Sequence, residues 1–273
     1  MPSTTRASRR CQHCGAELAA RTISYQGKEW FAGFEECPCQ GAVAERERAE
    51  ELEERCREES LRREREERAT RAGIPPRFLS ATHPRAREVA EAVLSGRNVY
   101  VCGEVGTTKT TLASAAALML LDSGRTVRMA SMVAILDAIK AGFREGYDPL
   151  PTYERAGALV LDDLGKGRQT DFTLERLFVL ADHRSANLLP TIVTTQYAPD
   201  ELIGRLSSGG DEETAVAIVS RLRQDCLSIR LTGDDRRRPM ARVTSTATKS
   251  DAGKRIRTRR TSDGQEEGGR DGD

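Results

Sequence analysis

A loop of residue types that bind phosphate follows an apolar segment near the middle of the chain. Residues 99–102 are apolar, Gly103 ends them, and a helix-like run starts at Lys109. The loop between them can direct backbone N–H groups at phosphate oxygens. We expect Lys109 to hold the β and γ phosphates and Thr110 to place its hydroxyl on Mg²⁺. The candidate nucleotide-binding residues are Gly103, Glu104, Val105, Gly106, Thr107, Thr108, Lys109, Thr110 and Thr111.

A second segment, ALVLDDLG at residues 158–165, supplies carboxylates. It reads as a buried strand that delivers Asp162 to the same Mg²⁺ ion. The two segments stand in this order with one strand-helix repeat between them. Together they predict a P-loop site for ATP and Mg²⁺.

One position departs from the usual loop G-x-x-x-x-G-K-[ST], because Thr108 stands where glycine precedes the lysine. The backbone there passes close to the phosphates, in a conformation that a branched Cβ resists. We therefore expect weakened binding or slow hydrolysis. The alternative is a turn rich in glycine and threonine that holds no ligand, and the accompanying Asp-Asp strand argues against it.

The charges and the hydropathy of the chain exclude some classes of protein. The 273 residues include 43 Lys and Arg and 42 Asp and Glu, which gives a formal net charge of +1. This net charge alone does not indicate a nucleic-acid-binding protein. The longest apolar run, residues 112–121, is too short to span a bilayer. No cleavable apolar N-terminus is visible, so we expect a cytoplasmic protein with no membrane contact.

Four of the seven cysteines lie within residues 1–41, as the pairs Cys11-x-x-Cys14 and Cys37-x-Cys39. Two short thiolate pairs separated by a small hairpin, with Gly27 in its turn, predict one tetrahedral zinc site. A closed four-ligand site has no open position for chemistry, so this module would be a docking surface. His13 replacing one cysteine, or unligated surface thiols, are the alternatives.

Residues 42–72 are almost wholly Glu and Arg, with many Glu-Arg pairs at i,i+4. Such a segment predicts a solvated helix that acts as a linker. A partner-bound coiled coil is the alternative, but no sustained apolar heptads support it. Gly73 and the prolines that follow it then end the helix and begin a new domain.

Strand and helix patterns alternate from residue 73 to residue 242, which predicts an α/β domain with a parallel sheet covered on both faces. Its ligand then belongs at the carboxyl edge of the strands. Residues 243–273 carry almost nothing apolar and are predicted to be a disordered tail. The predicted strands are residues 98–102, 126–130, 159–161, 190–195 and 227–231, and the predicted helices are residues 109–121, 132–143, 174–186 and 213–225.

Six short runs occur in one order, and their succession resembles the DnaC/DnaI helicase-loader family of AAA+ ATPases over residues 73–238. The runs are GIPPRFLSAT at 73–82, the P-loop, LVLDDLG at 159–165, LPTIVTTQY at 189–197, IVSRL at 218–222 and TGDDRR at 232–237. The N-terminal cysteine module and charged helix are similar to the DnaI-type arrangement. The resemblance implies an AAA+ P-loop ATPase core.

The resemblance also implies roles for individual residues. Asp162 would hold Mg²⁺, and Asp163 would polarise the attacking water. Aspartate is one methylene shorter than the glutamate that many AAA+ proteins carry, so slow turnover is expected. Thr195 or Gln196 would sense the γ-phosphate, and the sequence leaves that choice open.

Two arginines complete the implied ATPase site. Arg221 matches the arginine finger that reaches the nucleotide of a neighbouring subunit, so self-association through ATP sites is implied. Arg237 matches the second sensor, which acts in its own subunit. Unengaged surface arginines are the alternative for both.

By resemblance, the partners are a hexameric DnaB-type replicative helicase and single-stranded DNA. The leading hypothesis is therefore an ATP-dependent helicase loader whose assembly and release follow ATP binding and hydrolysis. An IstB-type transposition helper shares the same core and is one alternative. The other is a hydrolysis-deficient, nucleotide-sensing adaptor or inhibitor of a helicase, which Thr108 favours.

Overall fold

The structure is a computed structural model that describes residues 9–25, 27–208 and 211–233. Arg237, predicted as the second sensor, and the predicted tail at 243–273 lie outside these residues. Within the described ranges, no helix is long and apolar enough to cross a bilayer.

The N-terminal module consists of two small antiparallel pairs of strands followed by a long helix. Strands β1 (Arg9–Arg10) and β2 (Glu17–Leu18) form the first pair. Strands β3 (Ala20–Tyr25) and β4 (Lys28–Phe34) form the second, which is the hairpin predicted around Gly27. Helix α1 (Gln40–Arg71) follows at once.

Five parallel strands form the sheet of the main domain in the order β6-β7-β8-β5-β9. The strands are β5 (Asn98–Gly103), β6 (Val127–Ser131), β7 (Ala158–Leu164), β8 (Thr191–Thr195) and β9 (Cys226–Leu231). The helices are α2 (Ala86–Leu94), α3 (Lys109–Asp122), α4 (Met132–Glu145), α5 (Leu150–Glu154), α6 (Asp171–Ala186), α7 (Pro199–Ser207) and α8 (Glu212–Arg223). The predicted α/β class with a parallel sheet is confirmed.

Each strand of this sheet sends alternate side chains to two separate hydrophobic clusters. In β5, Val99 and Val101 join the cluster that contains α2 and α3. Tyr100 faces the other side, among side chains from α4, α6, α7 and α8. A sheet that is buried on both faces favours apolar residues on both sides of each strand, which fits the apolar runs of β5 and β7. The edge strands β6 and β9 are interrupted by Arg128, Ser228 and Arg230.

The predicted elements of this domain exist with bounds shifted by a few residues, and short helices were missed. The helix predicted to end at Asp225 ends at Arg223, because Asp225 takes a positive φ of 44°. Three short helices were not predicted, α2, α5 and α7. Helices of nine residues or fewer span less than three turns, and prolines that also mark loops begin α7 and flank Leu150, the first residue of α5.

Helix α1 is solvated as predicted, but the predicted ion pairs along it are not formed. Its residues are exposed or half-buried except Ala69. Among its residues, the one i,i+4 pair within 4 Å joins Arg62 to Glu66 at 3.9 Å, in the reverse order. Fixing two exposed, long side chains in one ion pair costs side-chain entropy. The electrostatic energy gained is small in water, so the two side chains remain apart.

The last turns of α1 are attached to the main domain. Arg65 donates two hydrogen bonds to Asp122 at the end of α3, at 2.9 and 2.7 Å. Ala69, Ala72 and Ile74 are buried in the same cluster as α3. The backbone N–H of Met129, in edge strand β6, donates to the carbonyl oxygen of Ala72 at 2.7 Å. The carboxyl end of the helix is therefore fixed to the sheet and to α3.

Gly73, which ends this attachment, takes a φ of +90°, and a Cβ there would collide with the carbonyl oxygen of Met129. Gly124 has a similar φ of +82°, with nothing within 4 Å of an added Cβ. We expect Gly124→Ala to lower the free energy of unfolding by about 1 kcal/mol, the cost of a left-handed alanine. Gly73→Ala should cost at least about 2 kcal/mol more, because the edge strand must also move.

Urea unfolding followed by circular dichroism measures both values. Equal losses in the two variants would show that the contact between Gly73 and β6 does not hold the helix.

Candidate nucleotide and metal sites

Three strand ends meet at the carboxyl edge of the sheet. β8 lies between β5 and β7, so the loop after β5, the two aspartates of β7 and the residue after β8 become neighbours. Cys102 pairs with Thr195 across the β5–β8 ladder. The structure thus brings together the two segments that the sequence assigned to one nucleotide site.

The loop from Gly103 to Thr108 leaves the first turn of α3 open to a ligand. Helix α3 begins at Lys109, and its N-cap residue Thr108 makes no side-chain capping hydrogen bond. The first N–H groups of a helix have no partners inside it, and they attract anions together with the helix dipole. Gly106 has a φ of 84°, a turn conformation suited to glycine.

Lys109 is 6% exposed and lies under this loop. Its Nζ donates to the carbonyl oxygens of Gly103 at 2.8 Å and Glu104 at 2.6 Å. The ammonium group therefore stands at the centre of the loop, where it can meet phosphate oxygens directed at the same N–H groups.

Asp162 accepts hydrogen bonds from two threonines. The Thr110 hydroxyl lies 3.0 Å from its Oδ1 and 3.2 Å from its Oδ2, and the Thr194 hydroxyl donates to Oδ1 at 2.6 Å. Mg²⁺ binds oxygen ligands at about 2.1 Å in octahedral geometry, which places neighbouring ligands about 3 Å apart. The oxygens of Thr110 and Asp162 already have that separation, so the pair fits a magnesium ion.

Burial raises the pKa of Asp162 above its ordinary value, against the hydrogen bond from Thr194. A bound cation would favour the ionised carboxylate. Thr194 was not predicted as a site residue. The available signal was its position, since it is one of the two adjacent threonines that end β8, beside the strand that carries Asp162.

Asp163 turns away from the sheet. It has a φ of 55°, and the β7–β8 register shifts between Leu161 and Leu164. Its backbone N–H donates to the Thr194 hydroxyl at 2.9 Å. Its side chain forms an ion pair with Lys166 at 2.7 Å, a contact that the sequence did not reveal. Asp163, Lys166 and Gln196 line one small cavity together with residues 105–110 of the loop.

Thr195 and Gln196, the two candidates for the γ-phosphate sensor, differ in their access to the cavity beside the loop. Thr195 is 0% exposed, and its hydroxyl donates to the carbonyl oxygen of Leu164 at 2.7 Å. Gln196 lines the cavity beside the loop. The geometry therefore favours Gln196.

Arg221 lies at the opposite edge of the sheet from its own loop. Its carbonyl oxygen accepts from Asn98, the first residue of β5, whereas the loop follows the last residue of that strand. Six strand residues span about 17 Å. The guanidinium donates to Asp182 at 2.8 Å and lies 4.9 Å from the Phe178 ring centroid. Arg221 is therefore remote from the phosphate loop of its own chain.

Thr108 takes φ 64° and ψ 20°, the left-handed conformation that glycine adopts freely. For a residue with a Cβ this conformation costs about 1–2 kcal/mol. Its Oγ1 lies 3.4 Å from Nε2 of His83. The departure noted in the sequence thus coincides with a strained backbone.

The cysteines of the N-terminal module converge. The sulfurs of Cys11 and Cys39 are 3.7 Å apart, those of Cys14 and Cys37 are 3.4 Å apart, and all four lie within 4.8 Å of one another. Tetrahedral zinc with bonds of about 2.3 Å places its sulfurs about 3.8 Å apart. This cluster could therefore hold zinc.

Two further contacts define this cluster. Backbone N–H groups of Cys14 and His13 lower the pKa of Cys11 to about 6. The pKa of Cys37 is raised, against the backbone hydrogen bond of Cys39, by the neighbouring Cys14 side chain and by burial, so only a bound cation would keep all four sulfurs as thiolates. The His13 ring lies 2.7 Å from a Glu45 carboxylate oxygen of α1, and His13 is not among the four residues whose sulfurs converge. Cys39 also caps α1, because its sulfur accepts from the N–H of Ala42 at 3.4 Å.

Comparison with known proteins identifies relatives for more than half of the chain. The family model described as IstB-like ATP binding protein matches residues 85–243. The replicative helicase loader DnaI of Bacillus subtilis (strain 168) is 25% identical over 151 residues, which are 53% of this chain and 49% of that protein. The chain thus spans about half the length of that curated relative.

Solved structures of similar proteins include a DnaC helicase loader and a DnaA protein. The crystal structure of the DnaC loader is 24% identical with a TM-score of 0.49, covering 58% of this chain and 100% of that chain. AMPPCP-bound DnaA from Aquifex aeolicus is 21% identical with a TM-score of 0.48, covering 59% of this chain and 52% of that chain.

The cysteine cluster predicts one zinc ion per purified chain, released on thiol modification. Cys14→Ser should lose the metal, because three thiolates leave the tetrahedral set incomplete. The matched control is Cys56→Ser, since Cys56 is an exposed cysteine of α1 outside the cluster. His13→Ala should keep the metal. Metal analysis of the three variants checks these outcomes, and full zinc content in Cys14→Ser would contradict the assignment.

Proposed function

The chain belongs to the family of IstB-like ATP-binding proteins, and on that premise we propose that it loads a hexameric DnaB-type replicative helicase onto single-stranded DNA. The observation that carries the proposal is the similarity to a protein described as a replicative helicase loader. A four-cysteine module and an anchored helix stand before the ATPase domain and could present that domain to a partner.

The site supports ATP hydrolysis with the following division of roles. The N–H groups at the start of α3 and the ammonium of Lys109 bind the phosphates. Thr110 and Asp162 would hold Mg²⁺, and that ion would neutralise charge on the β and γ phosphates. Asp163 orients the attacking water and Gln196 contacts the γ-phosphate. Lys166 engages Asp163 at 2.7 Å, so one carboxylate oxygen is already occupied.

Self-association would complete the site. Arg221 lies too far from its own loop and would act on the nucleotide of a neighbouring copy. ATP would then favour the assembled form, and hydrolysis would release it. Arg237 remains a prediction for the sensor in the same subunit.

The hairpin β3–β4 offers a surface for docking the helicase. Four of its large apolar side chains are exposed, Ile23 at 57%, Tyr25 at 67%, Trp30 at 57% and Phe31 at 61%. Ile23 and Trp30 pair across the strands and so point to one face of the hairpin. Clustered exposed aromatic residues are typical of interaction sites.

Two other functions are each favoured by one observation. The name of the matching family favours an IstB-type transposition helper, which would serve a transposase on double-stranded DNA. The left-handed Thr108 favours an adaptor or inhibitor that binds a helicase and senses ATP without turnover.

Co-elution with the host's replicative helicase tests the loader. We expect the full chain to form a complex in size-exclusion chromatography with light scattering, with different amounts in ATP and in ADP. The double change Ile23→Ser with Trp30→Ser should abolish the complex, as should deletion of residues 1–41. Phe143→Ser, at a 60% exposed residue of α4, is the matched control and should bind normally.

No complex in either nucleotide would reject both the loader and the adaptor, and would leave the transposition helper. A complex that survives the hairpin change would place the docking surface elsewhere.

Replacement of Thr108 by glycine distinguishes a slow ATPase from a protein that only senses ATP. We expect Thr108→Gly to raise steady-state ATP hydrolysis by about five- to thirtyfold, because about 1–2 kcal/mol of backbone strain corresponds to that factor in a rate or equilibrium. Thr108→Ala removes the contact with His83 but keeps the Cβ, so it should remain slow. Equal rates in all three proteins would show that the loop tolerates threonine.

A further inference from the structure

An arginine-lined cleft of about 680 Å³ opens between the end of α1 and the main domain. Five arginines line it, and none of its described lining residues is acidic. They are Arg68, Arg71, Arg125, Arg128 and Arg155. The whole chain has a formal net charge of only +1, so these five charges are a local concentration that composition does not show.

The cleft is remote from the nucleotide site. Arg125 lies in the loop before β6, and Ala156 lies just before β7, so both mark the amino edge of the sheet. The P-loop and Asp162 lie at the carboxyl edge. The cleft and the phosphate loop of the same chain therefore lie at opposite edges of the sheet.

The arginines of the cleft are free of carboxylate partners in the part of the chain that the structure describes. No ion pair within 4 Å includes any of the five. Arg128 donates one hydrogen bond, to the carbonyl oxygen of Arg71 at 2.6 Å, which fixes its guanidinium against the end of α1. Elsewhere on this helix, Arg65 and Arg46 are paired with carboxylates. An anionic ligand would therefore meet guanidinium groups that have no carboxylate partner among the described residues.

We propose that this cleft binds the phosphodiester backbone of single-stranded DNA. Guanidinium groups match phosphate in shape and bind it through two hydrogen bonds. The cleft has a volume of about 680 Å³, and a single strand, whose bases are free to pack against protein, can use both the charge and the apolar part of its lining. Leu121, Val127 and Pro151 add apolar surface to the lining, against which a sugar or base can pack.

The choice of DNA as the polyanion rests on the proposed function, but the binding itself does not require a helicase. The site joins the linker helix to the ATPase domain, so a bound strand would contact both. In this position, the bound DNA would be sensitive to how α1 packs against β6.

Fluorescence anisotropy of a labelled oligothymidylate with the full chain tests the proposal, across a series of salt concentrations and without helicase. The variant is Arg125→Gln with Arg155→Gln, at two exposed positions of the cleft. The matched control is Arg55→Gln with Arg63→Gln, which removes the same charge from exposed positions of α1 outside the cleft. Thermal unfolding confirms that both variants fold.

We expect the cleft variant to bind at least about fivefold more weakly and its log–log salt slope to fall by about 1.4, since each phosphate contact on a single strand contributes about 0.7. The control should bind like the parent protein, and a duplex of equal length should bind more weakly than the single strand. Affinity in the cleft variant equal to that of the parent would overturn the proposal. Equal losses of affinity in the cleft variant and the control variant would also overturn it. Displacement of the oligonucleotide by polyglutamate at matched charge would overturn it as well, because it would assign the cleft to an acidic peptide. Because no helicase is present, these outcomes are independent of whether the loader function fails.

Discussion

Burial of α3 is the constraint on which the other features of the structure depend. The helix is enclosed on nearly every side, and its small residues Ala113, Ala115, Ala116 and Ala117 let it lie close to the sheet. Its first residue, Lys109, closes the phosphate loop, and its last, Asp122, holds Arg65 of α1. Fourteen residues at about 1.5 Å each separate these ends by about 20 Å. A helix packed this tightly moves as a unit, so the loop and the linker helix share one rigid element.

The sequence predicted the main domain well because its signals are local and repeated. Apolar strands, the loop before Lys109 and the Asp-Asp pair after β7 each lie within a dozen residues. Parallel topology then forces their carboxyl ends to one edge. The four cysteines were predictable for the same reason, because two short pairs on either side of a hairpin can meet only at its base.

The rest depended on contacts that no short sequence motif specifies. Thr194 reaches Asp162 across the sheet and Lys166 meets Asp163 only because the strand bulges there, and neither contact has a motif. The attachment of α1 was hidden for another reason. Its composition predicts a fully solvated helix, and the three residues that bury its end, Ala69, Ala72 and Ile74, are too few to give a periodic signal. The cleft combines residues from three separate parts of the chain.

The attachment of α1 changes what the linker can do. A flexible tether would keep the cysteine module near the ATPase but would transmit no force or orientation. Here Cys39 belongs to the cysteine cluster and also caps the first turn of α1, while the last turn is hydrogen-bonded to β6 and paired with α3. Both ends of α1 therefore have fixed positions. Its first turn is held by the cysteine cluster, and its last turns are held by α3, the helix whose first residue closes the nucleotide loop. A change in the position of α3 would reach the cysteine module along one continuous helix, and such coupling needs only that α3 have two packed positions.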